Sequence, residues 1–431
     1  MPEPQPRSPY KGLTPYDEDD APFFFGRDKE IRLITANLFA APLTLLYGAS
    51  GIGKTSVLRA GVVYQLRQRD DLLIVVFAAW QSDPVSVLKA AVAEASARVA
   101  SEGVLLTDFT SLAEYLAACA IQLNRRLMII LDQFEEYFLY HPQDDAFAVE
   151  FPKAATQADI PVSFLISIRE DSLAKLDRFE GRIPNLFDNY LRIEHLSLEA
   201  ARAAIEKPIE QYNRLHAAEN QQVSIEPALV EAVLDQVKTG QVVLGETGRG
   251  VVGIRTGLTP VEERIETPYL QLVMTRLWEE EIRAGSRVLR LETLNCLSGA
   301  ERIVQTHLDA KMSALSPDQQ DFAAHIFRYL VTPDGAKIAL GTGTLADWAG
   351  LPPEQLTPVL SRLSSQDIRI LRPVAPLADQ PATPRYEIFH DVLAQAVLDW
   401  RRRYIEKQTQ EQARREARLR VCENNLSNTP R

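Results

Sequence analysis

From Phe23 to about Asp188, short continuous apolar runs alternate with stretches of helical periodicity. Residues 43–47, 72–78, 127–131 and 162–168 predict strands, and 191–193 predicts a weaker fifth. Runs that are apolar on both faces and separated by helices mark a parallel sheet covered on both sides. After His195 the strand pattern fades and helical periodicity takes over, as in LSLEAARAAIEKPIEQYNRL and the run from Tyr269 to Glu281. Residues 240–257 hold six of the 20 glycines, which predicts a hairpin or a mobile excursion and not core. Between Glu301 and Trp400, helices are followed by two short β-rich runs around a Pro-rich turn, the pattern of a winged helix. Beyond Trp400 the chain carries helix formers with almost no apolar stripe, which predicts a solvated helix that gives way to disorder near Glu423.

Composition narrows the class. The 431 residues suffice for about three domains, each able to bury a core. With 46% hydrophobic and 24% charged residues the chain is neither disordered nor fibrous. A net charge of −11 speaks against bulk attraction to nucleic acid or anionic membrane, although residues 401–431 carry +5 and the first 400 therefore −16. Three scattered cysteines, Cys119, Cys296 and Cys422, form no CxxC pair and fit a reducing, cytoplasmic compartment. The longest apolar run has nine residues, too few to span a bilayer, so no membrane partner is expected.

The strongest chemical signal is GASGIGKT, Gly48–Thr55, which matches GxxxxGK[ST] directly after a predicted strand and before a predicted helix. Gly48, Gly51 and Gly53 allow the backbone, with Ala49, Ser50 and Ile52, to wrap phosphate in N–H groups, and the helix start at Ser56 adds positive potential. Lys54 reaches the β- and γ-phosphates in this pattern, and the Thr55 hydroxyl ligates Mg²⁺. A second metal ligand follows from LMIILDQFEEYF, an apolar strand that ends in Asp132. The glutamate that often follows such an aspartate is replaced by Gln133, which leaves Glu135 or Glu136 as the base, or both as solvated charges. FLISIRED places Arg169 at the carboxyl end of another strand, where open α/β sheets carry ligands, either to sense a γ-phosphate or to pair with Glu170 or Asp171.

Two other matches are decoys. GRGVVG, from Gly248 to Gly253, runs into IRTGLTP, which cannot form a dinucleotide-binding helix, and Ser50 lacks the second glycine of a nucleophile elbow. Six scattered histidines and no HExxH leave no metal beyond Mg²⁺.

Together these motifs resemble the novel STAND NTPases of bacteria, relatives of the NB-ARC ATPases, over the chain up to about Trp400. SPYKGLTPYDEDDAPFFFGRDKEI looks like the family's lead-in, and the resemblance implies that Phe25, Gly26 and Arg27 lie against the adenine side of ATP or ADP. DQFEE is a common family form of the Walker B segment, and SIR matches the family's sensor arginine at Arg169. ETPYLQLVMTRLWEEE resembles the GxP motif, with Pro268 in the role of adenine contact and Glu266 in place of glycine. YEIFHDVLAQAV resembles the MHD motif, with His390 as contact to the β-phosphate of ADP and Asp391 beside it.

The fold class so implied is an α/β P-loop NTPase domain with a parallel sheet, followed by an α-helical domain and a winged-helix domain. Its expected bounds are a flexible lead-in at 1–22, the P-loop domain at 23–195, the helical domain at 196–295, the winged helix at 296–400 and a basic polar tail at 401–431. The function implied is an ATP/ADP switch that hydrolyses slowly, opens with Mg-ATP and forms homo-oligomers in bacterial defence or signalling. The family's usual sensor and effector are not expected within these residues, because only a short lead-in precedes the switch and about 30 polar residues follow it, and the sensor, effector or trigger partner stays unassigned. The competing readings are a winged-helix DNA-binding regulator, disfavoured by the absence of a basic concentration at 301–400, and a nucleotide-dependent scaffold with little hydrolysis.

Overall fold

The computed structural model describes residues 8–99, 111–143, 145–157, 160–184, 186–216, 222–238, 263–332, 337–365, 367–374, 384–390 and 392–427. These residues fall into two compact units, with the division between Ala300 and Glu301.

The first unit is built on a five-stranded sheet: β1 (Leu43–Gly48), β2 (Leu72–Phe77), β3 (Arg126–Leu131), β4 (Val162–Arg169) and β5 (Tyr190–Arg192). The spatial order is β2-β3-β4-β1-β5, and every neighbouring pair is parallel. The strands alternate their side chains between two cores. Leu127, Ile129 and Leu131 enter one with Trp80, Phe134 and Phe151, while Met128 and Ile130 enter the other with Ile34, Leu38 and Val62. Burial on both faces explains why these strands read as unbroken apolar runs. The helix Asp28–Ala40 and the helical stretch 54–66 cover the second core. The middle of that stretch, Val57–Val63, is π-helical, a form common at functional sites.

The helices Pro84–Val99, Leu112–Leu123 and Ala146–Thr156 lie between the strands in sequence, and after β5 the unit is mainly helical, with Leu198–Leu215, Pro227–Gln236 and Thr267–Arg283. Two short strand pairs tie them together: Leu196–Ser197 runs antiparallel to Arg264–Ile265, and Ser224–Ile225 runs parallel to Val288–Leu289. The sequence boundary at 195/196 therefore lies inside one compact unit. The Gly-rich excursion and the GRGVVG match lie outside the described residues.

Residues 8–22 depart from the flexible lead-in expected of them. Tyr10 and Tyr16 are buried. The Tyr10 hydroxyl donates to Ile205 O at 2.6 Å, and that of Tyr16 donates to Gln271 Oε1 at 2.8 Å. Lys11 pairs with Asp20 at 2.8 Å, and Asp17 caps the 3-10 turn Glu18–Phe23. Prolines deny this segment a regular helix, but side-chain anchors to distant residues fix it instead.

In the second unit the helices Gly299–Ser313 and Pro317–Leu330 precede the strand Leu340–Gly341, the helices Thr342–Ala349 and Pro353–Leu363, and the strands Leu371–Val374 and Arg385–Ile388. The last two strands are antiparallel, and Leu340–Gly341 pairs with Arg385–Ile388 to make three. The closing helix, Val392–Ser427, is continuous. It corrects the disorder expected from Glu423: no Gly or Pro interrupts residues 392–427. No described helix is long and apolar enough to cross a membrane.

Candidate nucleotide site

The loop between β1 and the helical stretch 54–66 carries the strongest motif. Gly48 is the last residue of β1, Gly51 lies at an exposed tip, and Ile52 is buried in the second core. Gly53 adopts φ 96° immediately before the helix begins at Lys54, a left-handed conformation that a side chain would strain. The Lys54 ammonium folds back and donates to Gly48 O at 2.8 Å and Ala49 O at 3.0 Å, so it spans the mouth of the loop. Ser50 and Thr55 are half-buried beside it.

Arg27 supports the loop from behind. Its buried guanidinium donates to Ile52 O at 3.0 Å and Glu194 O at 2.8 Å, and pairs with Glu30 at 2.7 Å. Burial lowers its pKa, which Glu30 opposes. Gly26 has φ 87°, and a Cβ there would stand 2.4 Å from Ala200 O, so the turn before Arg27 requires glycine. The Lys207 ammonium lies 5.9 Å from the centre of the Phe25 ring.

Acids gather at the carboxyl ends of β3 and β4. Asp132 is buried, its backbone N–H donates to Phe77 O at 2.8 Å, and the Trp80 indole donates to its carbonyl at 2.8 Å. Gln133 turns with φ 53°, so the chain doubles back and the next acids start the short helix Glu135–Tyr140. Glu135 Oε2 accepts the Arg169 backbone N–H at 3.2 Å. Burial raises the pKa of Glu135, while the charges of Lys54 and Arg169 lower it, which places all three groups in one electrostatic neighbourhood. Burial, with Glu135 and Asp132 beside it, pushes Glu136 up to about 7.

Arg169 stands in register with Gly48 across β1 and β4. Its guanidinium is buried and forms an ion pair with Asp171, whereas Glu170 pairs with Arg192 at 2.9 Å. Of the two acids weighed as partners, Asp171 forms an ion pair with Arg169, and the pair is half-sunk instead of superficial. Lys54, Asp132, Glu135 and Arg169 thus share one edge of the sheet.

The remaining candidates lie on other elements. Pro268 is buried in the first turn of the helix Thr267–Arg283. Glu266 precedes it with φ −71° and ψ 109°, a conformation open to any residue, so its replacement of glycine carries no backbone penalty. One turn on, Gln271 Oε1 accepts from the Tyr16 hydroxyl and, at 3.3 Å, from the Lys11 N–H. Tyr16 N–H donates to Ser56 Oγ at 3.1 Å. Ser56 is thus a fastening point for the segment 8–22, which links the Lys54 helix to the Pro268 helix. Sequence reasoning missed Tyr16, Gln271 and this role of Ser56; the paired tyrosines of SPYKGLTPY were the available signal. His390 belongs to the second unit, where it is buried after the strand Arg385–Ile388, and its carbonyl accepts Leu393 N–H at 3.0 Å. Asp391 lies outside the described residues.

A phosphate-wrapping loop after the first strand of a parallel sheet, with a buried aspartate at the end of a neighbouring strand, defines a P-loop NTPase. The model of the family described as Novel STAND NTPase 1 matches residues 9–425, and the chain belongs to that family. No curated protein matches the chain significantly. Among solved structures it is similar to the Aeropyrum pernix ORC2 protein in ADPNP-ADP complexes, with TM-score 0.46 and 13% identity over 89% of this chain and 94% of that one. It is also similar to the Aeropyrum pernix ORC1 protein in complex with DNA, with TM-score 0.44 and 17% identity over 88% and 92%. The Walker-type ATPase PABY2304 of Pyrococcus abyssi gives 0.43 and 15% over 89% and 98%.

Proposed function

We propose that the chain is an ATP/ADP-switched signalling NTPase that binds Mg-ATP, hydrolyses it slowly and uses the bound nucleotide to control domain opening and homo-oligomerisation in bacterial defence or signalling. The observation that carries this reading is the convergence of Lys54, Asp132, Glu135 and Arg169 on the sheet edge beside the Gly48–Thr55 loop. The residues present fit a Mg-nucleotide. Lys54 already donates to carbonyl oxygens of the loop, as it would to phosphate oxygens. Thr55 and Asp132 are the small hydroxyl and carboxylate set that Mg²⁺ takes when phosphates supply other ligands.

When bound, Mg-ATP supplies the polarised γ-phosphoryl group that water attacks. The chain's own residues do the rest. Lys54 and the loop N–H groups hold the phosphates, Arg27 fixes the loop by its Ile52 carbonyl, and Glu135 orients the water and takes its proton. Glu135 Oε2 already accepts the Arg169 N–H, and the carboxylate must share or release that bond to reach the water, which supports slow turnover.

The helix–strand–helix–helix–hairpin order of the second unit supports its reading as a winged helix, from which His390 would meet the β-phosphate of ADP. ADP would favour the closed state through Lys54, Pro268 and His390, and exchange for ATP would release it, since a ligand shifts an equilibrium only by its differential affinity. Particle mass by light scattering tests the switch. The wild type is expected to stay small with ADP and to enlarge with Mg-ATP, and His390→Ala to enlarge in ADP as well. Equal masses for both proteins in both nucleotides would refute it.

A further inference from the structure

We propose that Asp171 sets the preference of the site for a nucleoside triphosphate over a diphosphate, by holding the Arg169 guanidinium until a γ-phosphate displaces it. The inference rests on the nucleotide reading above and names a residue that this reading does not use.

Three observations carry it. First, Arg169 is fixed at the right place: it ends β4, stands opposite Gly48, and gives its backbone N–H to Glu135. Second, its guanidinium side chain is only 7% exposed, whereas the Asp171 side chain is 58% exposed. A buried cation needs an anion beside it, and the more exposed partner is the one that can turn out to water at low cost. Third, the neighbouring acid is committed elsewhere, since Glu170 pairs with Arg192. Asp171 is itself steadied at the start of the 3-10 run Glu170–Phe179, where its Oδ1 accepts the Ser172 hydroxyl at 3.1 Å.

The competition is selective by chemistry. A γ-phosphate offers Arg169 several charged oxygens in the fork geometry that guanidinium prefers. A diphosphate ends one phosphoryl group short, so Arg169 stays on Asp171 and the pair is not broken. The carboxylate thus weakens triphosphate binding alone.

The test uses the full chain and Mg²⁺, with ADP and the β,γ-imido analogue of ATP titrated by calorimetry. Asp171→Asn keeps the size and the hydrogen bonding but removes the charge. It is expected to raise the triphosphate-to-diphosphate affinity ratio at least fivefold, while Asp171→Glu stays within twofold of the wild type. Arg169→Ala is expected to lower the ratio, and the double variant Arg169→Ala, Asp171→Asn to match Arg169→Ala. Asp171→Ser serves in the same way if Asp171→Asn does not fold. A ratio unchanged in Asp171→Asn, or still raised in the double variant, overturns the proposal while wild-type binding leaves the nucleotide reading standing. A wild type that binds neither nucleotide overturns both.

Discussion

The loop Gly48–Thr55 and the segment 8–22 meet at adjacent residues, Thr55 and Ser56, yet they are built on opposite principles. The loop is local. Its shape follows from Gly53 at φ 96°, and its lysine bonds carbonyls five and six residues away. The N-terminal segment is held by partners far along the chain, with Tyr10 bonded to Ile205 and Tyr16 to Gln271 and Ser56. One is therefore a site that ligand chemistry constrains, and the other a fastening that tertiary structure constrains. Substitutions in the first should change binding with little effect on stability, and those in the second the reverse.

The largest effect is expected at Lys54. Lys54→Ala removes the cation at the loop mouth and is expected to weaken nucleotide binding at least a hundredfold, about 3 kcal/mol, in calorimetric titration. Its melting temperature without nucleotide is expected to stay within about 2 °C, because no core contact is lost. A large melting shift would erase the contrast with the N-terminal segment.

Next comes Gly26, just beyond the segment 8–22 and, like it, pressed against a residue far along the chain. Gly26→Ala sets a methyl group 2.4 Å from the Ala200 carbonyl at a left-handed position. A loss of more than about 2 kcal/mol in urea unfolding is expected. A variant as stable as the wild type would mean that the helix Leu198–Leu215 does not press on this turn.

Tyr16→Phe should cost less. It removes a buried hydroxyl shared between Gln271 Oε1 at 2.8 Å and Pro9 O at 3.2 Å and leaves Gln271 Oε1 with the Lys11 N–H, so about 1–2 kcal/mol is expected. Nucleotide affinity measured on the same sample is expected to change less than threefold. A larger loss of affinity than of stability would make this segment part of the site.

These two regions also explain what the sequence disclosed. β1 to β4 were legible because burial on both faces leaves unbroken apolar runs, whereas β5, exposed at Tyr190 and Arg192, gave the weaker signal; Lys54, Asp132 and Arg169 were legible because phosphate chemistry restricts residue type and spacing. The helix end at Ser427 was misjudged, although no Gly or Pro breaks residues 392–427. The order in residues 8–22 was hidden, since four prolines in the first nine residues read as a flexible lead-in and a hydrogen bond from Tyr16 to Gln271 spans 255 positions. The choice of Asp171 over Glu170 as partner of Arg169 was equally hidden, because adjacent acids are distinguished only by the direction in which the chain leaves β4.

A separate expected effect concerns pH. Glu136 titrates near 7 in the folded chain against an ordinary 4.5, so between these values the folded chain binds more protons than the unfolded one. Its ionisation therefore lowers stability as pH rises through that window. Glu136→Gln is expected to match the wild type near pH 4.5 and to melt higher above pH 7. A constant difference in melting temperature across this range would place Glu136 in water.

The central claim is that the Gly48–Thr55 loop holds an adenine nucleotide. Wild type and Lys54→Ala, purified in parallel and denatured, should be compared by mass spectrometry of the released small molecules, followed by uptake of added ADP and Mg-ATP. The account expects about one adenine nucleotide per wild-type chain, retained or taken up, and none on Lys54→Ala. A wild type that neither retains nor takes up either nucleotide, or a Lys54→Ala variant that binds as the wild type does, would contradict it.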